Sequence, residues 1–87
     1  MEIEKKVLPE YFQAITDGKK HYELRLADFE CKEGDVLYLR EWNKEKQEYT
    51  GREIKKNVSY VGVFEIDDLF WPEEEIKKHG LQVISIE

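Results

Sequence analysis

Eighty-seven residues, 40% apolar and with eleven aromatics, make one domain with a single compact core. One cysteine, Cys31, excludes an internal disulfide or a thiolate metal site, two distant histidines make no metal signature, and no apolar run approaches the about 20 residues that cross a membrane. A net charge of −6 disfavours phosphate-rich partners, yet six acids (Glu65, Asp67, Asp68, Glu73, Glu74 and Glu75) share one short segment, and without them 14 bases face 14 acids. A local basic face beside one acidic end is therefore available. The opening Met-Glu-Ile-Glu-Lys-Lys is no signal peptide. A soluble cytoplasmic protein is expected, with no cofactor and no metal.

Ile3 to Val7 predicts a short strand with Ile3, Lys5 and Val7 on one side, which leaves an inward Lys5 in need of a partner. Leu8-Pro9 opens a helix, since proline suits the first helical position and Glu10 suits the positive end of the dipole. Phe12 and Ile15 share one face of it, and Asp17-Gly18 ends it. Gly18 is a helix stop because it takes left-handed geometry without a Cβ clash.

From Lys20 to Leu26 the chain alternates. Tyr22, Leu24 and Leu26 are apolar, while His21, Glu23 and Arg25 are polar, which is the period of a half-buried strand. One side would feed the core and the other would present His, Glu and Arg in a row behind Lys20. Lys32-Glu33-Gly34-Asp35 reads as a turn. Val36 to Trp42 is the strongest strand pattern, with Val36, Tyr38, Arg40 and Trp42 facing one way and Leu37, Leu39 and Glu41 the other. Apolar residues on both faces suit a closed barrel.

Asn43 to Glu48 is a charged hairpin loop. Tyr49 to Val63 supplies one or two returning strands, with Ile54, Val58, Tyr60, Val61 and Val63 as core candidates and Gly51 at a bulge or close approach. Pro72 to His79 predicts a helix: three glutamates fill its first turn, Lys77, Lys78 and His79 its last, and Gly80 stops it. Leu81 to Ile86 would be a final strand. The expected fold is α+β, mainly β, in the order β-α-β-β-β-α-β over residues 1–87.

Leu8-Pro9-Glu10-Tyr11-Phe12, Gly18-x-Lys20, Glu23-Leu24-Arg25, Phe29, Gly34-Asp35, Leu39-Arg40-Glu41-Trp42 and Tyr49-Thr50-Gly51-Arg52 occur in that order. Together they resemble a small, largely uncharacterised ASCH-like subfamily of the PUA-like superfamily. The resemblance implies a small pseudo-β-barrel with a cleft between its mouth and the first helix, and it implies RNA binding. Some relatives are small enzymes on modified cytidines or on RNA. In the amidohydrolases among them a lysine after the glycine is catalytic, and it corresponds to Lys20. A threonine further along that strand is replaced here by Glu23, and a histidine near the family's N-terminus by Ile3.

Two readings meet at each candidate. Glu23 and Arg25 could be an i,i+2 pair on a wet strand, which contributes little. With the resemblance, Lys20, Glu23 and Arg25 become the cleft trio: Arg25 offers a planar fork for phosphate or a base edge, and Lys20 a mobile charge able to act as base or nucleophile. Glu23 either holds Arg25 or takes a proton itself. Trp42 and Tyr49 read as a cross-strand pair, or as a stacking platform with Arg40 and Arg52 on phosphates. His21, His79 and Cys31 read as structural or exposed, and Trp71 as a packing residue. The leading expectation is an RNA- or nucleotide-binding domain using Lys20, Glu23 and Arg25, with Arg40, Trp42 and Arg52 as further contacts. The alternatives are a small amidohydrolase or ribonuclease with Lys20 and Glu23 catalytic, and a protein-interaction module using the acidic end.

Overall fold

The computed structural model describes residues 1–84. Strand β1 (Glu2–Val7) leads into helix α1 (Pro9–Thr16), and after a long irregular connection come β2 (Val36–Asn43) and β3 (Glu48–Asn57). A short 3-10 helix (Ile66–Asp68) and helix α2 (Glu73–His79) follow. The strands form a three-stranded mixed sheet in the order β1-β2-β3, with β1 and β2 parallel and β2 and β3 antiparallel. This is a small, mainly β, α+β arrangement whose sheet is open: among the described residues, β1 and β3 are its edges.

The parallel register sets Ile3 beside Leu37, Lys5 beside Leu39 and Val7 beside Glu41, so the two core-facing rows coincide as the alternation predicts. Onto this face α1 lays Phe12 and Ile15, which with Val7 and Leu39 are the buried apolar core, flanked by Leu37 and Ile54. Fully burying a side chain such as Phe12 or Leu39 stabilises by about 1.5–3 kcal/mol. The inward Lys5 finds its partner outside the sheet, with Nζ 3.6 Å from the centre of the Phe29 ring. The opposite face is polar and aromatic. Lys55 pairs with Glu2 at 3.3 Å, Arg40 with Glu4 at 3.6 Å and with Glu53 at 3.8 Å, and the Tyr38 hydroxyl donates to Glu53.

Both helices start and stop where their end residues predict. Pro9 opens α1, and Gly18 leaves it at φ +74°. Helix α2 is braced by Glu73–Lys77 and Glu75–His79 pairs at 3.0 and 3.2 Å, with Gly80 at φ +72°.

Four expectations are corrected. Residues 20–26 form no strand; the Lys19 and Lys20 amides fold back onto the Ala14 carbonyl, and the segment's polar side chains bond mainly to one another. Its apolar side turns outward, with Leu24 and Leu26 exposed. The strand after Asn57 does not continue, and Tyr60 and Val63 are exposed rather than core. Residues 81–84 of the expected last strand are irregular, and Ser85 and Ile86 lie outside the described residues. Trp71, expected to pack at the helix start, is more than half exposed and meets the Phe70 ring edge-on, 6.2 Å away.

Surface area reflects this openness. The accessible surface is 7558 Å², against about 5,400 Å² for a compact 10.5 kDa chain.

Candidate functional site

The trio assembles without a strand beneath it. Glu23 lies between the two cations: Lys20 Nζ donates to its Oε1 at 2.9 Å and Arg25 Nε to its Oε2 at 3.0 Å. Lys20 Nζ also donates to the Tyr22 carbonyl at 2.7 Å, and Arg25 Nη2 to the Lys6 carbonyl at 2.6 Å. The Lys20, Glu23 and Arg25 side chains are 13, 15 and 31% exposed. Partial screening from water strengthens the Lys20–Glu23 bond beyond that of a surface pair, and the Arg25 bonds less so. Arg25 can serve two acceptors at once because its guanidinium is a rigid fork.

These residues form the wall between two concavities. One, of about 360 Å³, lies among the C-terminal end of β1, the start of α1 and residues 22–25, and is lined by Lys6, Tyr11, Lys20, Tyr22, Glu23 and Arg25 among others. This is where the cleft below the first helix is expected. Lys20 and Arg25 against Glu23 give it a formal excess of one positive charge in a chain of net −6, with Lys6 contributing at its rim. The Lys20 ammonium lies 4.6 Å from the Tyr22 ring centre and 5.7 Å from that of Tyr11. The second cavity, of about 450 Å³, has Ile15, Leu37 and Leu39 as an apolar floor, with residues 20–31 and 56–63 as walls. Half-buried Cys31 and exposed His21 line it.

Arg40 and Trp42 stand on the other face of the sheet. Trp42 meets Tyr49 edge-on, 4.9 Å between centroids, and the Arg40 guanidinium covers the Tyr49 ring at 3.7 Å. Both readings of this pair are thus compatible with one geometry: it pins the hairpin and leaves ring surface half-buried. Arg52 is brought elsewhere. Between the Arg40–Glu53 and Trp42–Tyr49 pairs, Glu41 alone on β2 faces Thr50, Gly51 and Arg52 on β3. Gly51, at φ +98°, makes the bulge the sequence predicts. Buried Glu41 accepts from Thr50 Oγ1 at 2.6 Å and pairs with Arg52 Nη1 at 3.5 Å. Arg52 also donates to Gln13 Oε1 at 3.1 Å, tying the bulge to α1.

Sequence reasoning missed Lys6. Its carbonyl anchors Arg25, it lines the smaller cleft, and its ammonium sits 3.8 Å from the centre of the Trp42 ring. The parallel pairing of β1 and β2 places it there, and only that register could have revealed it.

Among the described residues, no three His, Cys, Asp or Glu side chains gather as metal donors, and no helix is long and apolar enough to cross a membrane. No solved structure matches the chain. It is 32% identical over 78 residues to the "Uncharacterized 12.9 kDa protein in GpA 3'region" of Escherichia phage P2, a match covering 90% of this chain but 66% of that protein's length. A family model matches residues 4–71, which take in the trio, the hairpin and the bulge and stop short of α2. The chain belongs to the family described as Domain of unknown function (DUF3850).

Proposed function

We propose that this chain is an ASCH-like domain of the PUA-like superfamily that binds RNA or a nucleotide in the cleft beneath α1. Lys20 and Arg25 are the phosphate- and base-facing cations, and Glu23 is the carboxylate that holds both in place. Arg40 and Trp42 extend the surface, and Arg52 steadies the hairpin from the α1 side. The observation that carries this reading is the pairing of Lys20 and Arg25 on a single acid, beside tyrosine rings and with Lys6 at the rim, in an otherwise acidic protein. Cations draw phosphate oxygens, and aromatic faces accept unpaired bases regardless of sequence. The barrel belongs to the same proposal. The segments 20–31 and 56–63, which wall the larger cavity beside the open sheet, would close it as irregular walls.

Titration with single-stranded RNA at about 50 and about 200 mM salt tests it. Binding should weaken as salt rises and fall at least about tenfold in the Lys20→Ala/Arg25→Ala double variant. An absence of binding at low salt, or affinity indifferent to the two substitutions, sinks the reading.

One observation favours a second reading, a small hydrolase. Lys20 Nζ and Glu23 Oε1 are 2.9 Å apart, largely screened from water and beside a cavity of about 450 Å³. That is a pair able to pass a proton. Incubation with N4-acylated cytidines and with short RNAs decides it, since no turnover of either removes the enzyme.

A further inference from the structure

The trio faces the α1 side of the sheet, and the Trp42–Tyr49 pair lies on the other. What joins them is the C-terminal end of β1. Lys6 stands one residue before that end: its backbone carbonyl is the acceptor for Arg25, and its side chain, on the face that carries its register partner Arg40, lies over the Trp42 ring. At the same ring pair, Arg40 stacks on Tyr49 at 3.7 Å. Cations therefore lie on both sides of this end, Lys20 and Arg25 at the cleft and the register partners Lys6 and Arg40 at the ring pair, with Tyr11 and Tyr22 beside the first two and Trp42 and Tyr49 beside the others. Because β1 and β2 are parallel, their C-terminal ends lie at one end of the sheet, so a path between the two sides crosses no other strand.

We infer that the ligand is a single-stranded RNA segment of at least two nucleotides. One phosphate is held in the cleft by Lys20 and Arg25, the chain passes over the end of β1, and the next base stacks on Trp42 with Lys6 as the cation shared by both positions. The inference rests on the cleft-binding reading above and adds to it a ligand class, a path and a residue. A mononucleotide can fill the cleft but cannot reach Trp42. A duplex cannot offer its stacked bases to a ring on the opposite face of a sheet.

The test compares uridine 5′-monophosphate with tetrauridylate, in the Trp71→Phe variant, which leaves Trp42 as its single tryptophan. Tetrauridylate should bind at least about tenfold more tightly, a gain of the size that one stacked base provides, and should quench Trp42 emission, which the mononucleotide leaves unchanged. In Lys6→Gln the length advantage should fall to within about threefold of unity. If the two ligands bind equally, if tetrauridylate leaves Trp42 emission unchanged, or if Lys6→Gln keeps the full advantage, the path is wrong while the cleft reading stands. If neither ligand binds, both fall. Should Lys6→Gln fail to fold, the ratio of affinities and the Trp42 signal in the Trp71→Phe protein still decide.

Discussion

Arg25 and Lys6 are joined by a 2.6 Å hydrogen bond from the guanidinium Nη2 to a backbone carbonyl 19 positions earlier in the chain. The same guanidinium holds Glu23 through Nε at 3.0 Å. One planar group thus fastens an irregular segment to the end of a strand and orients the carboxylate that faces Lys20. A lysine at this position has the charge without the fork.

Arg25→Lys should therefore behave more like Arg25→Ala than like the parent. The alanine variant should lose about 1 kcal/mol, modest because the side chain is nearly a third exposed. Urea denaturation of the three proteins measures this, and a lysine variant as stable as the parent would show that charge alone suffices.

Glu41→Ala should cost more, about 2 kcal/mol, because it removes a buried carboxylate that accepts from the Thr50 hydroxyl and pairs with Arg52, leaving Arg52 held by Gln13 alone. Glu41→Gln, which keeps one oxygen as acceptor, should cost about half as much. Thermal melts at neutral pH rank the two, and the reverse order would contradict the assigned bonds.

Acid should act through Asp35. The backbone N–H of Lys32 and then the N-terminal ammonium, at 3.0 and 3.1 Å, hold this buried carboxyl below its ordinary value of 3.8. A folded-state value lower than the unfolded one adds stability that is fully present above 3.8 and disappears as pH falls through the folded value. The melting temperatures of the parent and of Asp35→Asn should accordingly converge as pH is lowered from about 6 to about 2. A gap that stays constant across that range would remove Asp35 from the account.

Alkali should act through Tyr38, with the opposite sign. Its hydroxyl donates to Glu53, and this bond above all, then burial, raises its ionisation above the ordinary 10.0. The stability it adds is present below 10.0 and is lost as pH rises through the folded value. Phenolate difference absorbance, taken against Tyr38→Phe, should show the Tyr38 step moving back toward 10.0 in Glu53→Gln. A step that does not move would mean the bond has no part in the shift.

Much of this was legible where local chemistry and tertiary structure agree. Pro9, Gly18 and Gly80 mark helix ends through backbone geometry alone, and the two faces of β2 follow from its alternation. The bulge at Gly51 was readable for the same reason. The run from Lys20 to Leu26 was not, because alternation specifies a strand only when a neighbour completes its ladder, and here ion pairs between nearby residues organise the segment instead. Its polar members nevertheless gather as the spacing suggested. Lys6 was invisible for a different reason: its importance comes from a carbonyl and from a parallel neighbour, and neither leaves a mark on side-chain type.

Glu41 facing Thr50, Gly51 and Arg52 has a consequence for how this domain varies. The Arg-Glu-Trp and Tyr-Thr-Gly-Arg runs are two halves of one joint, in which the Glu41 carboxylate serves both Thr50 and Arg52. Natural variants should therefore exchange positions 41, 50 and 52 as a set, with position 51 staying glycine wherever the three-residue arch is kept. A chain that shortened the arch would be free to replace Glu41 with an apolar residue, and such a pairwise change would be the historical record of the bulge.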